Sequence, residues 1–217
     1  MKTKALLFAL TTTALALGAK AQQPTFGIRA GVNFQNINGK NYDGTDTRNK
    51  LKTGFNIGAN AEIPVAPDFY VQPGVLFTTK GAKNKDDNDI KINLSYIEVP
   101  ITFLYKPTLG TGKLLLGIGP YVAFAVSGNY TDAAGKDHDI NFDNKITAAE
   151  YLSNPYNAKR MDVGGNLLFG YELSSKISAQ LNAQLGMANI NPEIEGVSND
   201  KTKGKNTGFG ISFGYRF

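Results

Sequence analysis

Hydrophobic and polar positions alternate strictly through most of this chain, and the last stretch shows it most cleanly. Between 207 and 217 the odd positions are Thr207, Phe209, Ile211, Phe213, Tyr215 and Phe217; the even ones are Gly208, Gly210, Ser212, Gly214 and Arg216. A period of two marks a strand with one apolar face and one small or polar face. The same pattern predicts strands over 25–34, 53–63, 69–79, 92–105, 113–127, 160–173 and 176–188, so eight strands in all. Pro73 cannot donate to a ladder and predicts a bulge in the third.

The connections alternate in length. Polar loops at 36–50, 80–89, 128–158 and 189–206 alternate with short turns at 64–68, 107–112 and 174–175. Such a chain separates a rim of long loops from a rim of short turns. The strands, at about 10–14 residues, exceed the ~5–6 usual in globular sheets and suffice to cross a bilayer when tilted. A water-soluble barrel buries its apolar face and covers the outside with Lys and Glu. Here the other face is Gly, Asn, Gln, Ser and Ala, which suits a cramped interior. The expected fold is therefore all-β: an eight-stranded antiparallel up-and-down transmembrane β-barrel with short periplasmic turns and long extracellular loops. No composition break divides it, so residues 22–217 form one domain.

Composition changes this picture at the amino terminus. Lys2 and Lys4 precede an apolar run from Ala5 to Leu17, and Ala19-Lys20-Ala21 is a small-residue cleavage pattern, so 1–21 is expected to be a cleaved signal peptide. The 217-residue chain carries a net charge of +5, of which Lys2, Lys4 and Lys20 supply three units, leaving +2. The basicity is mostly targeting, and no nucleic-acid partner is expected. The mean hydropathy of −0.23 does not argue against a membrane, because barrel strands dilute their hydrophobicity by alternation. With no cysteine, disulfide and thiolate chemistry are excluded.

The sharpest local motif lies inside loop 128–158. Asp139, Asn141, Asp143, Thr147 and Glu150 place oxygens at positions 1, 3, 5, 9 and 12 of a twelve-residue segment, with the Lys145 carbonyl at 7. That is the spacing of an EF-hand calcium loop, with Asn144 where glycine is usual. Residues 147–152 predict a short helix after it. Calcium is the one cofactor expected. A second set, Arg29 and Arg216 with Glu62, Glu98, Asp162 and Glu172, falls on the inward positions and predicts a salt-bridged plug rather than a solute path. His138 is the only histidine and stands on a loop without an evident nucleophile, so no enzyme is expected. Lys201, Lys203 and Lys205 form a basic series near the outer rim, read as solvated loop charge in preference to a contact with lipopolysaccharide phosphates.

Three motifs carry a resemblance: Tyr70-Val-Gln-Pro-Gly-Val-Leu-Phe77 with Lys80-Gly81, Tyr96-Ile-Glu-Val-Pro-Ile101, and Gly117-Ile-Gly-Pro-Tyr-Val122. They resemble the strand motifs of the PorT-type outer-membrane β-barrel family of Bacteroidota. The resemblance implies an outer-membrane location and insertion by the barrel-assembly machinery, which reads a terminal strand such as 208–217. The leading expectation is a non-enzymatic structural or interaction protein in contact with outer-membrane lipid and lipopolysaccharide. Its alternatives are a calcium-dependent surface module binding a glycan, lipopolysaccharide or an envelope or extracellular protein, and a small lipid-modifying barrel enzyme.

Overall fold

Backbone pairing in the computed structural model, which describes residues 23–41, 43–87, 90–153, 156–197 and 201–217, follows the alternation through a full circle. The export segment expected at 1–21 lies outside the described residues. Eight long strands make up the wall: β1 (Thr25–Lys40), β2 (Lys52–Ala66), β3 (Phe69–Asn84), β4 (Lys91–Tyr105), β5 (Gly112–Thr131), β6 (Met161–Glu172), β7 (Ile177–Gly186) and β8 (Lys203–Arg216). Each pairs antiparallel with the next. β1 closes on β8 from Gly27↔Arg216 to Lys40↔Lys203, and the Phe217 amide donates to the Phe26 carbonyl at 2.8 Å. Closure leaves no strand edge with unpaired amides facing hydrocarbon, where each would cost several kcal/mol.

The faces are as the alternation predicts. Phe213 is 63% exposed and Leu181 53%, whereas Ser212 and Asp162 are fully buried. Phe26, Phe69, Tyr105, Tyr215 and Phe217 gather at the end with the short turns and the chain termini, with Phe69 stacked on Tyr105 at 4.7 Å. Aromatic rings so placed suit a membrane interface.

Four strands run further toward the loop side than the alternation shows. β1 continues to Lys40, β3 to Asn84 and β5 to Thr131, and β8 begins at Lys203. Beyond the hydrocarbon the ladder still gains its hydrogen bonds, but one face no longer has to be apolar. The alternation therefore reports the extent of the outward apolar band rather than the end of the strand. Pro73 makes no bulge: the β3–β4 register passes unchanged from Pro73↔Ile101 to Leu76↔Glu98. Its ring simply forgoes a bond. The register shifts fall at Pro64/Ala66 in β2–β3 and at Ser95/Tyr96 in β4–β5.

The turn rim is tight. Lys176 takes a φ of 67° after Ser174 and Ser175, and its amide donates to the Leu173 carbonyl at 2.9 Å. The loop rim has a fold of its own. Asp137–Asp139 doubles back onto β5, Asn141–Phe142 pairs parallel with Asn157–Ala158, and Lys145–Thr147 pairs parallel with Glu193–Glu195 of the last loop. The expected helix is present as α1, Ala148–Ser153. Loops 128–158 and 189–206 thus form one cap.

Candidate functional site

The inward charges legible in the sequence are two cations against four carboxylates, an imbalance that a buried interior does not tolerate. The structure supplies the missing two: Lys80 and Lys106. In the upper layer, nearer the loops, Lys80 Nζ lies 2.9 Å from Glu98 Oε2 and 3.1 Å from Asp162 Oδ2, with no exposure at all. Tyr121 OH and Asn206 Nδ2 also donate to Asp162 Oδ2, at 3.2 and 3.0 Å, and Gln184 Nε2 donates to Glu98 Oε1 at 2.7 Å. The Lys80 ammonium sits 4.1 Å from the centre of the Tyr121 ring, close enough for a cation–π contribution. That ring needs Gly164 opposite it, since a Cβ there would lie 2.7 Å from the ring edge.

In the lower layer, at the turn end, Lys106 Nζ bridges Glu62 and Glu172, each at 2.8 Å. Arg216 Nη2 donates to the other Glu62 oxygen at 2.7 Å, as does Gln72 Nε2 at 3.2 Å. Arg29 donates to Asn182 Oδ1 at 3.5 Å and is attracted at longer range to Glu98; counted with the upper layer, it brings each layer to two cations and two carboxylates. Amides fill the space between: Asn33 donates to Thr78 at 3.0 Å and Asn182 to Ser212 at 3.2 Å. The void left there is 30 Å³, room for a single water. The two layers reach across the lumen, each with balanced formal charge.

Above the upper plate the interior turns apolar. Ile37, Leu94, Tyr96, Tyr121, Ile140, Ala158 and Ile190 form one buried cluster that joins the barrel to its cap. Over it lies a cavity of 800 Å³ bounded by both capping loops and by α1. Tyr130 and Tyr156, stacked at 4.3 Å, form part of its wall.

The residues of the calcium motif are distributed through this cap. Asp139 pairs with Asn129 at the end of the β5 hairpin, Asn141 sits opposite Asn157, and Lys145 opposite Glu193. The Asp143 amide donates to the Ala158 carbonyl at 3.1 Å. Glu150 accepts from the Thr147 amide at 2.7 Å and hydroxyl at 2.9 Å, and its own amide donates back to Thr147 Oγ1. This reciprocal pair is a capping box on α1, and its bonds, the amide's first, hold the Glu150 carboxyl below the usual range. Among the described residues no three His, Cys, Asp or Glu side chains converge as a metal would need. His138 Nε2 is 2.9 Å from Asp132 Oδ2 and its ring is 4.8 Å from that of Tyr156. Lys203 and Lys205 stand opposite Lys40 and Asn38 on the extended β1–β8 ladder.

The sequence profile of the outer membrane protein beta-barrel domain family matches residues 20–191. The chain belongs to that family. Several solved barrels resemble it in structure. The attachment invasion locus protein Ail of Yersinia pestis, solved with the heparin analogue sucrose octasulfate, is 14% identical with a TM-score of 0.43, over 90% of this chain and 100% of Ail. Neisserial surface protein A is 13% identical with a TM-score of 0.48, over 90% and 100%. OprG of Pseudomonas aeruginosa is 15% identical with a TM-score of 0.46, over 90% and 97%. No curated protein matches the chain.

As an outer membrane barrel, the protein turns its apolar face to lipid. The 510 Å³ groove along Leu116, Leu167, Leu181 and Phe209 lies on that outer wall, where acyl chains cover it. Sequence patterning misses Lys80 and Lys106 because one stands at the apparent start of a loop and the other at the edge of a turn. Carrying the parity of each strand one step further, from Leu76 and Thr78 to Lys80 and from Thr102 and Leu104 to Lys106, places both inside.

Proposed function

We propose that this outer membrane protein is a sealed, non-enzymatic barrel whose working surface is its folded extracellular cap. The observation that carries this reading is the pair of neutral ionic plates across the lumen. A path for ions would require Lys80 to leave Glu98 and Asp162, and Lys106 to leave Glu62 and Glu172, each an uncompensated charge separation among buried groups. Reconstituted into planar bilayers, the barrel should show no stable single-channel steps. Regular conductance steps that persist in the purified, folded protein would overturn the reading.

Residues 1–21 then act as the cleaved export signal, and insertion uses the barrel-assembly machinery acting on β8. Within the family we place the chain with the PorT-type barrels of Bacteroidota, on the motifs 70–77, 96–101 and 117–122. Lipopolysaccharide would meet the cap rim near Lys40, Lys203 and Lys205, and an envelope or extracellular protein would meet the cap itself.

The oxygen spacing of Asp139, Asn141, Asp143, Lys145, Thr147 and Glu150 supports a second reading, in which calcium orders the cap. It requires the Glu150 carboxylate to exchange its bonds to Thr147 for the ion. Calorimetric titration of the folded barrel should then give a saturable heat that Asp139→Ala/Glu150→Ala loses. Identical traces for the two proteins would leave Glu150 as a helix cap alone.

A further inference from the structure

The cavity in the cap has a composition unlike the rest of the extracellular side. Asp, Asn and Lys dominate the loops, yet among the described residues lining this 800 Å³ space none is charged, and most are Ile, Leu, Val or Tyr. Its floor is made of side chains withdrawn from water, with Leu94 1% exposed, Ile190 2% and Ile146 4%. Its rim is apolar and open: Leu152 of α1 is 83% exposed and Tyr151 45%. An exposed leucine beside a deep apolar floor gives a continuous greasy path from solvent into the cap.

The volume lies within the ~300–1,000 Å³ usual for small-molecule sites, which are mostly apolar with a few polar groups to orient the ligand. Here Asn157, Asn191 and Thr202 supply the polar minority. The lining also sets what is refused. A carboxylate or ammonium entering the site would lose its hydration with no opposite charge to meet it, a large penalty. The location excludes another class of occupant. Ile37 and Leu94 point to the barrel interior, on the same parity as Gln35 and Tyr96, so the cavity lies over the lumen and not against the bilayer. Acyl chains of the surrounding membrane do not reach it without leaving the lipid.

We propose that this cavity is a binding site for an uncharged, apolar small molecule taken from the extracellular side. The floor sets how far such a molecule can travel. Beneath it lie Tyr96 and Tyr121, and beneath these the Lys80–Glu98–Asp162 plate. The ligand is held at the mouth and does not continue down the barrel axis. The inference is independent of calcium and does not require the lumen to be sealed at its lower end.

The test uses the full barrel in lipid nanodiscs with radiolabelled naphthalene as the probe, correcting for label in empty nanodiscs. Saturable retention approaching one probe per barrel is expected, with 2-naphthoate at least tenfold weaker. Ala158→Trp places an indole in the cavity from its buried wall and should weaken the saturable part at least tenfold. Leu152→Glu, at a position already in solvent, leaves folding intact while charging the entrance, and should weaken retention at least tenfold. Heat-modifiable mobility on gels verifies that each variant is folded. Absence of saturable retention by the wild-type barrel would overturn the proposal. So would equal retention by the wild type and a folded Leu152→Glu, or equal affinity for naphthalene and 2-naphthoate.

Discussion

Lys80→Met should destabilise the folded barrel by about 3–5 kcal/mol, the usual cost of removing one partner from a buried ionic group. The methionine fills most of the same space, so little of the loss is packing. What remains is Glu98 and Asp162, fully buried and 2.9 and 3.1 Å from the Lys80 ammonium in the native protein, with Arg29 as the one cation left in the layer. Tyr121, Asn206 and Gln184 still donate to these carboxylates and Arg29 offsets one of them, but neutral donors cannot cancel the negative charge left over. The double variant Lys80→Met/Asp162→Asn removes one charge of each sign, leaves Arg29 to offset Glu98, and should recover most of the loss, since a layer without excess charge costs far less than an unpaired one. Urea-induced unfolding from lipid vesicles, followed by gel mobility and tyrosine fluorescence, measures both. If Lys80→Met unfolds within about 1 kcal/mol of the wild type, the upper plate does not hold the barrel together.

Leu181→Arg should cost about 2–4 kcal/mol in the same assay, the range for a cation on the lipid face near the bilayer midplane. Leu181 is half-exposed on the outer wall near the middle of β7, between Phe169 of β6 and Ile211 of β8. Leu185→Arg, four residues further toward the loop rim on the same face, should cost about 0–1 kcal/mol, because an arginine there reaches the interface. A depth dependence of this kind belongs to a bilayer. Equal costs at the two positions would point to a wall that faces water.

Alternation made most of the wall legible. Thr207 to Phe217 shows both faces of β8 without any coordinates, and Phe26, Ile57, Leu181 and Phe213 all stand outward as their parity requires. Long and short connections likewise assign the two rims. The short helix after Thr147 was legible too, since Thr147 and Glu150 hold the spacing of a capping box. The strand ends were not, because above the membrane the ladder of Asn36, Asn38 and Lys40 against β8 continues with no hydrophobic period to mark it. The oxygen spacing at 139–150 has two physical readings, a cation loop or a set of short strands and a cap. Local sequence cannot separate them, because Glu150 serves either one.

Taken alone, the amino-acid order determined an outward apolar band, an inward small and polar face, eight strands and the alternation of turns with loops. These come from backbone geometry and period two, which act between neighbours along the chain. Only the tertiary structure decided that Lys80 and Lys106 complete the two plates, and that loops 128–158 and 189–206 fold together over an apolar cavity. Charge neutrality and cavity lining depend on residues distant in sequence, such as Lys80 with Asp162 or Ile146 with Ile194. Closing the sheet into a ring is what brings those partners within reach of one another.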